Sequence, residues 1–167
     1  WGGTLGLTPV KIFHKGYYDH MEESHELLVS YGNEKIWDVL AENPRNRVVV
    51  FGEQPEMLRF PCCTQSYTDI EGSGGNFNLS SSPEALADFF TFAEVDYIYL
   101  GSGYLKPGTD GFRNVTGLLK QGYLMDLLYE NGNGLAVFSS DPKNLTEEES
   151  EALLAEFTEK YWPGEQQ

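Results

Sequence analysis

The chain has 167 residues, enough for one domain with a single core, and its 40% apolar and 14% aromatic content is that of a folded protein. Eleven Lys and Arg face 26 Asp and Glu, a formal net charge of −15, which repels phosphate backbones and anionic head groups and argues against nucleic acid as a partner. It nowhere offers the roughly eighteen consecutive apolar residues of a membrane span, and no secretory h-region is present.

The chain opens at Trp1 without an initiator Met and is expected to be a piece of a longer protein, with any targeting signal or membrane anchor outside it. Residues 1–18 begin with a Gly-rich lead and read as a tether or one edge segment; residues 19–167 read as one α/β domain. From Asp19 a helical pattern carries Glu22, Glu23 and Glu26 in its opening turns, followed by Leu27, Leu28 and Tyr31. After Gly32 and Asn33 a second helix is predicted over Glu34 to Glu42, with Ile36, Trp37 and Leu40 on one side and Asn43-Pro44 as its stop. Val48 to Phe51, three β-branched residues and a Phe ending at Gly52, predict a central strand. Arg59 to Thr64 suggests a short strand that Pro61 pushes to an edge, and Asp69 to Asn76 is the most turn-rich stretch.

The strongest unit is Ser81 to Ser102. Ser82 and Pro83 are read as N-cap and N1, and Leu86, Phe89, Phe90 and Ala93 fall at i, i+3, i+4 and i+7, so a helix with one apolar face leads into the buried strand Tyr97 to Leu100. Helix and strand make half of a β-α-β unit. Gly101 to Arg113 is read as a polar loop, followed by a short helix near Val115 to Gln121. Two further strands, Leu124 to Glu130 and Leu135 to Ser139, flank Asn131 to Gly134, a hairpin signal because Asn and Gly tolerate positive φ. Thr146 and Glu149 form a capping-box match before a helix with Leu153, Leu154, Phe157 and Tyr161 inward, which Trp162 to Gly164 ends. The expected architecture is a three-layer sandwich with a mixed, mainly parallel central sheet, Val48 to Phe51 and Tyr97 to Leu100 being adjacent central strands, and a C-terminal β-hairpin plus helix.

Catalytic signals are sparse. His20 and His25 sit among Glu22, Glu23 and Glu26, but five residues on a helix turn two side chains roughly 140° apart, so they cannot share a metal without a break in the helix. A solvated acidic face is the better reading, and no metal or other cofactor is expected. Asp69, Glu71 and Asp110 lie near glycine loops without a cation-binding spacing. Cys62 and Cys63 are adjacent and cannot staple distant parts of the chain, and no Cys/His zinc spacing or nucleophile elbow is present. Gly72 to Gly75 and Gly101 to Gly103 invite a phosphate-binding reading, yet no GxGxxG or P-loop pattern accompanies them and turn chemistry explains them better. Tyr17, Tyr18, Tyr67, Phe77, Tyr104 and Phe112 lie in loop-like sequence that could stack on sugar rings, although rings folded back over the core are the simpler reading. Three sequons, at Asn78, Asn114 and Asn144, add a weak vote for an extracytoplasmic surface.

If the two central strands are parallel, their carboxyl ends form one edge, and Gly52, Glu53, Gly101, Ser102, Gly103 and Tyr104 are the candidate ligand-contacting loops. A ligand there is expected to be a neutral or cationic glycan or peptide, not a nucleotide.

The run Val95 to Gly101, followed after a loop and a short helix by Leu127 to Phe138, resembles the soluble carboxyl-terminal domain of polytopic membrane glycosyltransferases of the dolichyl-phosphate-mannose mannosyltransferase type. The helix at Ile36 to Leu40 leading into Val48 to Gly52 has the same layout, so the resemblance spans about Ile36 to Ser139. It implies a domain on the outer face of a membrane, anchored by transmembrane helices of the same polypeptide that use a lipid-linked sugar donor, with glycan or protein acceptors as possible contacts. The family's acidic catalytic residues belong to its membrane part and none maps onto this chain, so the implied role is a non-catalytic accessory one. The alternatives are an extracellular carbohydrate-binding module and, on the glycine loops alone, a small nucleotide-dependent α/β enzyme.

Overall fold

Four short apolar runs pair into one sheet in the computed structural model, which describes residues 33–52, 60–62 and 81–161. The strands are β1 (Val48–Phe51), β2 (Tyr97–Leu100), β3 (Leu124–Glu130) and β4 (Asn133–Phe138), in the spatial order β1-β2-β4-β3. β1 runs parallel to β2 with Val49 opposite Ile98, whereas β4 is antiparallel to both β2 and β3. The sheet is mixed as expected, but among the described strands parallel pairing is confined to the β1–β2 pair. The helices are α1 (Glu34–Ala41), α2 (Pro83–Phe92), α3 (Asp110–Lys120) and α4 (Glu147–Tyr161). The helical pattern from Asp19, the first 18 residues and the loop Asp69 to Asn76 lie outside the described residues.

Alternation along the strands sorts the side chains into two cores. Val48, Val50, Tyr99 and Leu135 face Ile36, Trp37 and Leu40 of α1. Val49, Phe51, Ile98, Leu100, Ala136 and Phe138 face the opposite cluster, built with Leu86 and Phe90 of α2, Leu118 and Leu119 of α3, and Phe157 and Tyr161 of α4. Among the described residues, one helix on one side and three on the other make the three layers. The hydrophobic effect that holds them is worth about 25 cal/mol per Å² of apolar area removed from water.

β1, the expected central strand, has one neighbour among the described strands. β1 stands at one end of the four described strands, because the second strand of the hairpin takes the far side of β2 and leaves β2 and β4 inside. β1 is nonetheless buried throughout, since helices cover both of its faces. Burial of a run thus reports cover above and below, not its lateral position in the sheet.

β3 departs from simple alternation. Leu124, Leu127 and Tyr129 all pack toward the three-helix side, a shift of one residue produced by a bulge between Met125 and Leu128, where Asp126 adopts φ 48°. Without it, Asp126 would share the face of Leu124 and enter the core; with it, Asp126 is exposed. Leu128 consequently packs with the α1 side.

α2 begins where the sequence indicates: Ser82 caps it by accepting from the Ala85 amide at 3.2 Å, and Pro83 is its first residue. α3, in contrast, starts five residues earlier than the expected Val115. Thr109 caps it, its hydroxyl accepting from the Phe112 amide at 3.3 Å, so the loop expected to reach Arg113 ends at Thr109. α3 lies so close to α2 that a Cβ at Gly117 would come within 2.2 Å of Pro83 Cγ. α4 opens on the expected reciprocal capping box, Glu149 N donating to Thr146 Oγ1 at 3.2 Å and Thr146 N to Glu149 Oε2 at 2.8 Å. The Thr146 amide, and after it the Thr146 hydroxyl donating to the same Oε2 at 3.1 Å, hold the Glu149 carboxyl below the usual glutamate value. Phe60 to Cys62 form a bend rather than a strand, and Cys62 is buried beside α1; Cys63 lies outside the described residues.

Candidate functional site

Parallel register brings the carboxyl ends of β1 and β2 to one edge, Phe51 opposite Leu100, so Gly52 and Gly101 leave the sheet side by side. Gly101 N donates to Phe51 O at 2.6 Å, and a Cβ on Gly101 would lie 3.1 Å from that carbonyl and 3.3 Å from Gly52 Cα. Glycine is needed here because two backbones approach each other. The chain then turns through Ser102 and Gly103, Tyr104 N returning to Gly101 O at 3.2 Å, with Gly103 at φ +67° and open space around it. The structure therefore places Gly52, Gly101, Ser102, Gly103 and Tyr104 at one edge as expected; Glu53 lies outside the described residues.

Three other elements converge on this turn. The Asn131-Gly132 tip joins β3 to β4 as a two-residue turn, both residues at positive φ (49° and 77°), so Asn133 and Gly134 belong to β4 rather than to the loop. This carries the tip against Ser102, whose Oγ would lie 2.8 Å from a Cβ at Gly132. Asn133 Oδ1 accepts from Ser102 N at 2.8 Å, while its Nδ2 donates to Asn33 Oδ1 at 2.9 Å in a buried pair. Glu130, on the same hairpin, accepts from Lys35 N at 3.0 Å and Ile36 N at 3.2 Å, capping α1 from across the fold in place of a local side chain.

The last residue of α4 closes the other side. The Tyr161 hydroxyl donates to Gly101 O and accepts from Leu105 N at 3.5 Å, and its ring stacks on Phe157 at 5.3 Å. Burial pushes the Tyr161 phenol up to about 12, the Leu105 amide pulling weakly the other way.

The edge is therefore an interlocked surface. The Gly101 carbonyl receives the Tyr161 hydroxyl and the Tyr104 amide, and the Ser102 amide is taken by Asn133. Ser102 and Gly103 are exposed at its crest, a face suited to hydrogen-bonded contact. Among the described residues no group of three His, Cys, Asp or Glu side chains is placed to hold a metal. Asp110 is paired with Arg113 at 2.8 Å, a helical i,i+3 ion pair at the start of α3. Tyr104 and Phe112 are partly buried against the three-helix core, so these two rings fold inward. His20, His25, Asp69, Glu71, Gly72 to Gly75, Tyr17, Tyr18, Tyr67 and Phe77 lie outside the described residues, among which no helix is long and apolar enough to cross a membrane.

Asn33, Glu130, Asn133 and Tyr161 escape a motif search because they act on backbone groups or, for Asn33, on another carboxamide, and carry no chemical signature. Two of them had a signal. An Asn-Gly turn of two residues puts Asn133 on the strand that pairs with β2, and Tyr161 stands one helical turn beyond the buried Phe157. Comparison of the chain with protein-family models, curated proteins and solved structures finds no match.

Proposed function

We propose that this chain is a non-catalytic extracytoplasmic domain of a membrane-embedded glycosyltransferase that uses a lipid-linked sugar donor. The observation that carries the reading is the pairing of the two segments on which the family resemblance rests. Val95 to Gly101 contains β2, Leu127 to Phe138 contains most of the hairpin, and the two meet from Tyr97 opposite Val137 to Leu100 opposite Gly134. The shared phrasing thus corresponds to one hydrogen-bonded unit at the middle of the sheet, locked at its end by Asn133 and Ser102.

The role fits a surface that positions rather than reacts. In this reading the domain is held outside the membrane by transmembrane helices of the same polypeptide, and the Ser102–Gly103 crest is the place to meet a glycan or protein acceptor. The −15 charge keeps the body of the domain away from anionic head groups. Tyr104 and Phe112, being partly buried, lend less to a carbohydrate-stacking module than exposed rings would.

The test is orientation. Sealed cells carrying the full-length protein, treated with an impermeant amine reagent, are expected to label the exposed Lys35, Lys106 and Lys120 before lysis. Labelling of these lysines only after the membrane is opened would overturn the reading.

A further inference from the structure

The three sequons are not equivalent once the chain folds. Asn114, in the middle of α3, is 0% exposed, and its neighbours Val115 and Thr116 are buried with it. Thr116 turns its hydroxyl back to Phe112 O at 2.8 Å, inside the helix. A glycan on the Asn114 side chain has no path to solvent without unpacking α3 from the core. Asn144 is the opposite case. It lies exposed in the irregular stretch between β4 and α4. That stretch is pinned one residue earlier, where Lys143 N donates to Gly122 O at 3.0 Å, so the backbone is anchored beneath an outward side chain. Asn78 lies outside the described residues.

We infer that the folded protein carries an N-linked glycan on Asn144 and none on Asn114, whose burial keeps any chain modified there out of the folded population. The inference rests on the extracytoplasmic placement proposed above, since the donor is a lipid-linked oligosaccharide presented by an oligosaccharyltransferase on that side of the membrane. In the transfer, the Asn144 side-chain nitrogen forms a bond to the anomeric carbon of the donor sugar. The bond from that carbon to the lipid phosphate oxygen breaks, the phosphate leaves with the electron pair, and the amide nitrogen gives up one proton to a base of the transferase. The sequon hydroxyl belongs to Thr146, which in the folded chain both accepts from Glu149 N at 3.2 Å and donates to Glu149 Oε2 at 3.1 Å. Transfer therefore precedes closure of the α4 cap, and the fold then tolerates the product because Asn144 projects into water. A chain modified at Asn114 would be held out of the native state.

The experiment uses the full-length protein made through a secretory membrane that carries an oligosaccharyltransferase. A short flexible segment with its own sequon, inserted after Gln167, reports which side the domain occupies. Digestion with a glycosidase that converts a glycosylated Asn to Asp, followed by peptide mass mapping of the folded fraction, is expected to show conversion at Asn144 and none at Asn114. Asn144→Gln is expected to lose one glycan's mobility shift, and Asn114→Gln none; mapping of the unaltered chain decides the matter even where Asn114→Gln fails to fold. A modified reporter with Asn144 unconverted overturns the glycan while the placement stands. An unmodified reporter with Asn144 unconverted overturns both. Conversion at Asn114 in the folded fraction overturns the exclusion by burial.

Discussion

Asn133 Nδ2 donates to Asn33 Oδ1 at 2.9 Å, a buried bond between residues a hundred positions apart, and the same carboxamide accepts from Ser102 N. One side chain thus ties the hairpin to both the start of α1 and the exit of β2. Asn133→Ala leaves the Asn33 oxygen and the Ser102 amide without this partner, and an unsatisfied buried group costs about 1–3 kcal/mol. Because Ser102 is exposed and its amide can turn to water, the buried Asn33 oxygen dominates, and a loss of about 1–3 kcal/mol in urea denaturation is expected. Asn133→Asp keeps the acceptor for Ser102 but places a carboxylate against the Asn33 oxygen, so it should be no better than alanine near neutral pH.

Gly122 and Gly103 both sit in the left-handed region, at φ +77° and +67°, but differ in what surrounds them. A Cβ at Gly122 would lie 2.1 Å from Lys143 O, whereas nothing lies within 4 Å at Gly103. Gly103→Ala should cost only the conformational penalty, about 1–2 kcal/mol. Gly122→Ala must in addition displace the backbone that leads to α4, and should lower the thermal midpoint by clearly more than Gly103→Ala does. Equal effects would show that the Gly122–Lys143 approach is not needed.

Glu149 provides a pH-dependent element at the start of α4. Its folded value is lowered from 4.5 by the Thr146 backbone bond and then the Thr146 side-chain bond, so its contribution is fully present above 4.5 and is lost as pH falls through the lower folded value. Glu149→Gln should therefore be slightly less stable than the parent at neutral pH, with the difference shrinking on acidification. Thermal denaturation of both proteins across that range checks the convergence; a difference independent of pH would contradict it.

Tyr161 acts at the alkaline end. Its phenol is raised by burial from 10.0 to about 12, so the folded state retains a proton that the unfolded chain releases, and the stabilisation is present below 10 and lost as pH rises toward 12. Burial also raises Tyr99 and Tyr129. Tyr161→Phe keeps the stack on Phe157 but removes the bonds to Gly101 and Leu105, and should cost about 1–2 kcal/mol at neutral pH. It should also flatten, without abolishing, the decline in stability between pH 10 and 12, followed by circular dichroism.

Where local chemistry decides an element, the sequence suffices. Ser82-Pro83, Thr146 with Glu149, and Asn131-Gly132 each set a cap or turn through groups one to three residues apart, and each is found in place. Thr109 belongs to the same class; its cap was masked by the Pro107-Gly108 and Asp110-Gly111 turn signals around it. The place of β1 at the end of the four described strands was not legible, because cover by two helix layers gives the same apolar run as a strand between two others. The bulge at Asp126 was equally hidden, since a charged residue inside Leu124 to Glu130 reads as ordinary outward alternation, and only the packing of Leu127 and Tyr129 reveals the shift. The candidate edge was located by the parallel pairing of two runs, while the bonds that interlock it come from Glu130, Asn133 and Tyr161, which reach backbone groups far away in sequence, and from Asn33, whose side chain meets that of Asn133.

The most direct measurement of the central claim is sugar transfer from a polyprenyl-phosphate-linked donor, assayed in membranes containing the full-length protein beside purified residues 1–167. The account predicts transfer by the membranes and none above a boiled control by the purified domain. Turnover by residues 1–167 alone, or no transfer by the full-length protein from any lipid-linked donor, would contradict it.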